Sequence, residues 1–559
     1  MTQTVTLTQP VRVAGSVLAA GTTQTLALDI AADLIARGFA SPVWQFPNVV
    51  NVTAQNDPAT GVNKLAVPVD TKTEPGSRFV LLGDSILAAE NSTRSISAMA
   101  RSGGVVTCTA TSHALISTQG IKVSNAMPDS FNGIYQITRI DANSFSYVSD
   151  GPDEAATLSG HPSGGLFEAR TTSWTAPYGW FNWTNQLYFN AGLEVAKNLS
   201  NGGWKCTYAA SDAGLDFIES QLGSTKFSDL IVAFGVNDLI GGKTPTEITD
   251  AIKVLVLWGL SKNVRVWIDA IKPVGSSHAS AAAINKKAPV VNRILADYAK
   301  TINNVYFVDT YSTMVDPTTG EAIANTVQSD HIHPSAFGAR VKCAPAWYAA
   351  MNGVVTAKNL LAKSIFDNYG SDSGSPILFD DAPWASTAGG SVNGTVTGDV
   401  AVNLTLTEAG SASVEGTIVA RTDGFGYDQV CAITATANND SLTVQLKNIV
   451  LARFQGKKIR LLAAFELTGN TAGNVKTIYS YVTQVVGGLT GYYYGGGATV
   501  SAAQWGTTDD TISGVLMSPD VDVDAAASAV MLAVGVVSFA GAGSPTLKLG
   551  RITVIEVDA

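Results

Sequence analysis

At 559 residues the chain is too long for one domain, and its length allows roughly three or four. Only 14% of the residues are charged, the formal net charge is -10 and no basic run occurs, which argues against nucleic acid as a partner. The four cysteines, at 108, 206, 343 and 431, are scattered through separate segments, which argues against a disulfide framework.

Residues 1–50 alternate short β-like runs with Gly-rich turns and include one helix-like stretch, Asp29 to Arg37, stopped by Gly38. The opening Met1-Thr2-Gln3-Thr4 lacks the basic and apolar regions of a secretory signal, and no run reaches the roughly 18 to 20 apolar residues of a spanning helix, so a soluble protein without membrane insertion is expected. Residues 51–76, rich in Pro, Asn and Thr, read as a linker. The apolar run at 78–83 then ends in Gly83-Asp84-Ser85-Ile86. From 101 to 174 the pattern changes to Thr-, Ser-, Gly- and Val-rich alternation, with Asn132-Gly133 as a turn signal, which predicts an inserted antiparallel β module.

Four further short runs, at 193–198, 230–235, 264–270 and 304–309, follow with helix-like stretches between the later ones. Together with 78–83 they predict an α/β domain with a five-stranded parallel sheet, made of residues 77–100 and 175–360. Trp180, Trp183 and Leu187 recur at helical spacing as a buried stripe, whereas Trp174 and Tyr178, before that helix, are candidates for stacking on a sugar. Residues 361–375 form a second linker. Residues 376–559 carry many short alternating runs, among them Val400 to Leu406, Ser441 to Leu446, Ile459 to Phe465 and Leu547 to Val557. They predict a C-terminal β-sandwich of jelly-roll type, with Ala529 to Phe539 as a buried strand. Tyr492, Tyr493 and Tyr494, with Trp384 and Trp505, suit a sugar platform, a sandwich core or a subunit interface equally well.

In open parallel sheets ligands bind beyond the carboxyl ends of the strands. Ser85, Gly203 and Asn237 each fall just past a different predicted strand, and Asp330 and His333 lie in the loop after the last. A serine hydroxyl needs a base, a group that orients the base, and donors for the oxyanion. The three-residue spacing of Asp330 and His333 lets a tight loop set the carboxylate against one imidazole nitrogen while the other faces the serine. Pro334 suits the first position of a helix, predicted over Ser335 to Cys343. His331, two residues from His333 in a turn, is expected to point elsewhere. Asp330, His331 and His333 are also metal-ligand types, but no nearby His or Cys completes a zinc set, so neither metal nor cofactor is expected. Asp84 and Asp238 read as carboxylates that hold their loops through backbone amides. The fifth position of a Gly-x-Ser-x-Gly elbow is Leu87, which argues against the α/β-hydrolase fold.

Gly83-Asp84-Ser85-Ile86, Asn198-Leu199-Ser200-Asn201-Gly202-Gly203, Gly235-Val236-Asn237-Asp238 and Asp330-His331-Ile332-His333 resemble, in order, the four blocks of the SGNH (GDSL-type) hydrolases, with Ile86 in place of Leu. The resemblance implies a three-layer α/β core with Ser85 as nucleophile, His333 as base and Asp330 as orienting acid. It implies an oxyanion hole from the Ser85 and Gly203 amides and the Asn237 side chain. Residues 1–50 resemble N-terminal attachment modules of phage tail proteins, with a simple packing appendage as the equal alternative, Asn132 to Tyr147 a β module recurrent in phage tail fibres, and residues 376–559 carbohydrate-binding modules. These resemblances imply a phage tail (virion) esterase that removes acyl groups, most simply O-acetyl, from a bacterial surface polysaccharide and attaches to other virion tail proteins, with a homotrimer among the assemblies common in such proteins. The rival readings are a non-catalytic receptor-binding tail fibre protein that grips polysaccharide, and a lipase or thioesterase.

Overall fold

Five short runs become the parallel strands of one sheet in the computed structural model: β1 (Arg78–Gly83), β2 (Glu194–Asn198), β3 (Asp229–Ala233), β4 (Arg265–Asp269) and β5 (Val305–Val308). The structure describes residues 76–88, 93–110, 120–124, 126–141, 143–158, 165–169, 179–200, 202–362, 378, 388–470, 474–486, 489–494 and 511–557, together with short strands before residue 76. The chain separates into two units. The first contains Met1–Leu87, Leu193–His333 and Ala349–Thr356, and the second contains Ala88–Gly192, Pro334–Tyr348 and Ala357–Ala559.

In the first unit the strand order is β2-β1-β3-β4-β5, and every neighbouring pair is parallel. Such a sheet is covered on both faces, so its inner strands are apolar throughout instead of alternating. Phe79, Val80, Leu81 and Leu82 of β1 and Leu230, Ile231 and Val232 of β3 are all 0% exposed. At about 1.5–3 kcal/mol for each large apolar side chain buried, these strands anchor the unit.

Helices α1 (Ser85–Ala88), α2 (Cys206–Ala209), α3 (Asp212–Leu222), α4 (Val236–Ile240), α5 (Pro245–Ser261) and α6 (Ala281–Lys300) connect the strands or lead away from them. Along α6, Ala281, Ile284, Ala288, Val291 and Leu295 repeat at three- and four-residue intervals and are buried, the pattern of one apolar stripe. A reciprocal cap starts α5: Thr244 Oγ1 accepts the Glu247 amide at 3.2 Å, Glu247 Oε2 accepts the Thr244 amide at 2.9 Å, and Pro245 occupies the first turn. At the amino ends of the strands the Arg265 guanidinium clamps Asp229 through Nε to Oδ1 (2.7 Å) and Nη2 to Oδ2 (2.8 Å), and Trp267 Nε1 donates to the same carboxylate at 2.8 Å.

The linker expected at 51–76 holds a hairpin of Thr53–Asn56 with Asn63–Ala66. Ahead of it, Thr2–Leu7, Thr23–Ala27 and Ala40–Pro42 form a three-stranded sheet. The helix-like stretch Asp29 to Arg37 lies outside the described residues.

In the second unit, strands between Thr93 and Ala169 build an eight-stranded sheet whose pairings are all antiparallel. It takes in Thr93–Ile96 and Ala98–Ser102 and so begins before residue 101. Its core gathers Val106, Cys108, Phe131, Phe145 and Tyr147. Asn132-Gly133 is not a hairpin turn: the Asn132 amide group exchanges hydrogen bonds with the Ala126 backbone (2.9 and 2.8 Å) and closes a wider loop before the strand Gly133–Arg139.

The helix Trp180–Tyr188, expected in the hydrolase segment, belongs to this second unit, where Trp180 and Trp183 are buried and Trp180 stacks on Trp347 at 4.2 Å. Pro334 does not begin a helix. Helical geometry starts at Ala336, runs as a π-helix over Gly338–Cys343 and continues as α-helix over Ala344–Met351.

Between Ser391 and Glu556 the chain forms two mainly antiparallel sheets, one of six and one of seven strands. Ala529–Phe539 is a largely buried strand within them. All four cysteines are buried, and none is in a disulfide. Among the described residues no helix is long and apolar enough to cross a membrane. Trp174, Tyr178, Trp384, Trp505 and the side chains of Tyr492 to Tyr494 lie outside the described residues.

Candidate active site

The strand order reverses direction between β1 and β3, and the carboxyl ends of those two strands open the crevice where open α/β sheets take ligands. Gly83 and Ala233 are register partners there. A Cβ on Gly83 would stand 2.6 Å from the Ala233 carbonyl oxygen, so glycine is what allows the strands to close up at this point. The Asp84 amide donates to that same carbonyl at 3.1 Å, and the Asp84 carbonyl accepts the Leu87 amide at 3.2 Å. Ser85, half-buried, opens α1 directly above.

The loop after β5 brings the second component. Asp330 Oδ1 accepts the amides of Ile332 (3.0 Å) and His333 (3.1 Å), which winds the loop around the carboxylate. His331, between them, takes a left-handed φ of 63°, and its carbonyl accepts the Gly275 amide at 2.8 Å. A Cβ on Gly275 would lie 2.9 Å from His331 Nδ1, so that ring is packed on the loop after β4. His333 Nδ1 is 2.5 Å from Asp330 Oδ2, and His333 Nε2 is 2.8 Å from Ser85 Oγ. An ionised Asp330 accepts from Nδ1–H, which leaves Nε2 as the acceptor for the serine proton. Burial works against the charge on Asp330, but the amide bonds from Ile332 and His333 and the His333 ring outweigh it and hold the carboxyl below its ordinary range.

Two more loops reach the same edge. Asn237 lies in the first turn of α4, and its Nδ2 donates to the Trp204 carbonyl at 3.1 Å, which uses one of its two hydrogens. Gly203, exposed and with φ 76°, is the residue before Trp204 in the turn between β2 and α2. The Asn237–Trp204 bond thus ties together the two loops that carry Gly203 and Asn237. Gly235 lets the chain enter α4 with φ 122°, a conformation that favours glycine.

Residues 166–341 match the family model described as GDSL-like Lipase/Acylhydrolase. Over these residues the chain is similar to the GDSL/SGNH hydrolases. The matched segment contains Gly203, Asn237, Asp330 and His333 and leaves out Ser85, which precedes the inserted sheet in sequence and meets His333 in space.

Solved structures similar to the hydrolase include a member of the lipolytic protein G-D-S-L family from Veillonella parvula DSM 2008 (19% identity, 31% of this chain and 88% of the other, TM-score 0.25). A carbohydrate esterase family 3 protein from Talaromyces cellulolyticus is similar at 18% identity (27% of this chain, 68% of the other, TM-score 0.22). Axe2, an acetylxylan esterase from Geobacillus stearothermophilus, is similar at 14% identity (50% of this chain, 97% of the other, TM-score 0.28). No curated protein matches the chain.

Near the serine the first unit buries a set of charges. Asp238, 0% exposed, accepts the Cys206 amide (2.8 Å), the Thr207 amide (3.2 Å) and the Thr207 hydroxyl (2.8 Å). Asp84, 1% exposed, accepts the Ile86 amide at 2.9 Å. Lys272 and Asp269 form a buried ion pair, and Thr310 Oγ1 donates to Asp269 at 2.7 Å. The expectation that Asp84 and Asp238 hold loops through amides describes these bonds; the partners Trp204, Cys206 and Thr207 were missed, although all three follow within four residues of Gly203. Among the described residues no group of three His, Cys, Asp or Glu side chains is arranged to hold a metal ion.

Proposed function

We propose that the chain is a serine esterase that removes acyl groups, O-acetyl foremost, from a bacterial surface polysaccharide as part of a phage tail. The observation that carries the ester chemistry is the unbroken relay from Asp330 through His333 to Ser85, with contacts of 2.5 and 2.8 Å. His333 takes the Ser85 proton at Nε2 as Oγ attacks the ester carbonyl. Asp330 keeps the ring in the Nδ1–H tautomer and stabilises the imidazolium. The tetrahedral oxyanion is held by the Ser85 and Gly203 amides and the Asn237 side chain. His333 then returns the proton to the departing sugar hydroxyl, and water, activated by the same ring, hydrolyses the acyl-enzyme. The polysaccharide substrate and the tail location rest on the sequence resemblances of the N-terminal, inserted and C-terminal segments.

Incubation with O-acetylated bacterial polysaccharides, followed by proton NMR, should show acetate release that Ser85→Ala abolishes, together with loss of covalent labelling by an organophosphonate. A glycan that binds unmodified, with equal affinity for Ser85→Ala and the parent, would refute the enzymatic reading.

A further inference from the structure

Asp84 and Asp238 are two buried carboxyls set near the nucleophile from different elements, Asp84 at the end of β1 and Asp238 on α4. They are solvated very differently. Asp238 meets three donors from α2, whereas among the described residues the Asp84 carboxyl meets one, the Ile86 amide. Neighbouring buried carboxyls resist double ionisation, and the one with fewer donors is where a proton is gained most readily.

The groups that face Asp84 come from every loop at this edge: His333 after β5, Lys272 after β4, Asp238 on α4 and Cys206 on α2. Lys272 is already paired with Asp269, which dilutes its help to Asp84. Burial pushes the Asp84 carboxyl up to about 7; the Ile86 amide, His333 and Lys272 oppose the rise, and Asp238 adds to it.

We propose that Asp84 is a positioning residue and a proton-operated control on this site: ionised, it fixes the turn that presents Ser85 and sets negative charge toward His333, and one proton taken up on its carboxyl turns the site down. The inference rests on the serine-esterase reading above. An amide bond to a carboxylate is roughly twice as strong as one to a neutral acceptor, so protonation loosens the Ile86 tether at the first turn of α1. Protonation also removes a charge that favours the imidazolium formed as Ser85 attacks. The Asp84 carboxyl bonds the Ile86 amide and stands outside the Ser85–His333 contact, so it acts through Ser85 and His333.

The test is the pH dependence of hydrolysis of a small activated acetate ester by the full chain and by Asp84→Asn. In the parent, log(kcat/KM) should fall on the acid side by a step of about one log unit as Asp84 takes up its proton, in addition to the unit-slope limb of a single catalytic base. Asp84→Asn should lower kcat on the order of tenfold on the alkaline side of that step, leave KM within about twofold and keep only the unit-slope limb. A parent profile with a single unit-slope limb, or an Asp84→Asn protein with the parent's kcat and acid limb, overturns the proposal. The parent profile decides by itself if the variant does not fold. Ser85→Ala, run alongside, separates the two levels: an active Ser85→Ala sinks the esterase reading, whereas an inert Ser85→Ala beside an unaltered Asp84→Asn sinks only the role of Asp84.

Discussion

Replacing Asp84 with asparagine should make the protein more stable as it makes it slower. Burial, the largest influence on this carboxyl, moves it from the ordinary 3.8 to about 7 in the folded chain. A raised value means that folding favours the protonated form. The stabilisation is fully present below about 3.8 and is lost as pH rises from there through about 7. Moving a carboxyl by one pH unit corresponds to about 1.4 kcal/mol, so a displacement of this size is worth on the order of 4 kcal/mol. The asparagine amide retains an oxygen that can accept from Ile86 and carries no charge to desolvate. Urea unfolding of both proteins, followed by tryptophan fluorescence, should show the advantage of Asp84→Asn growing by about 1.4 kcal/mol per pH unit between about pH 4 and about pH 7, then levelling off. A difference independent of pH, or a substituted protein that is less stable than the parent above neutrality, would refute the burial argument. Loss of turnover accompanied by gain of stability would also distinguish Asp84 from a merely structural residue, whose removal lowers both.

Asn237→Ala should lower kcat by about 10²- to 10³-fold with little change in KM, measured on a small acetate ester, because it removes a proposed oxyanion donor and the tie to the Trp204 carbonyl. Gly235→Ala would force a φ of 122° on a residue with a Cβ and place that atom 2.4 Å from Ile271 Cδ1. A loss of about 1–3 kcal/mol is expected in urea unfolding, with reduced activity through displacement of α4. Arg265→Leu leaves the buried Asp229 carboxylate without its guanidinium and should cost about 3–5 kcal/mol, while kcat at a permissive temperature stays close to the parent value, since the clamp lies at the opposite end of the strands.

The parallel sheet was legible because both its faces are buried, which writes strands such as Phe79 to Leu82 and Leu230 to Val232 as uninterrupted apolar runs. Ser85, Asn237 and Asp330 with His333 could be placed at one edge because parallel strands deliver all their following loops to the same side. The Asp330–His333 contact was legible from the three-residue spacing, which lets a tight loop set the carboxylate against the imidazole; the Ile332 and His333 amides that wind the loop around Asp330 were not. Contacts fixed by packing between distant segments were not legible. Nothing local announces that Asn237 will donate to the Trp204 carbonyl, or that Asp238 will collect the donors of Cys206 and Thr207. Asn132-Gly133 has hairpin chemistry, but the Asn132 side chain found the Ala126 backbone and closed a different loop. The helix Trp180–Tyr188 showed its apolar stripe, yet periodicity cannot say which body will cover that stripe.

Ser85 and His333 are separated by 248 positions, and the strand that leads into the serine, β1, is flanked by two strands that are both made after it. The entropy of closing so long a span is recovered only when β2 and β3 have docked on either side of β1. On the proposed reading, competence for acyl transfer is therefore a late property of the folding chain. A chain that has not yet added the loop after β5 holds the Ser85 hydroxyl without the His333 ring, so acyl transfer awaits that loop.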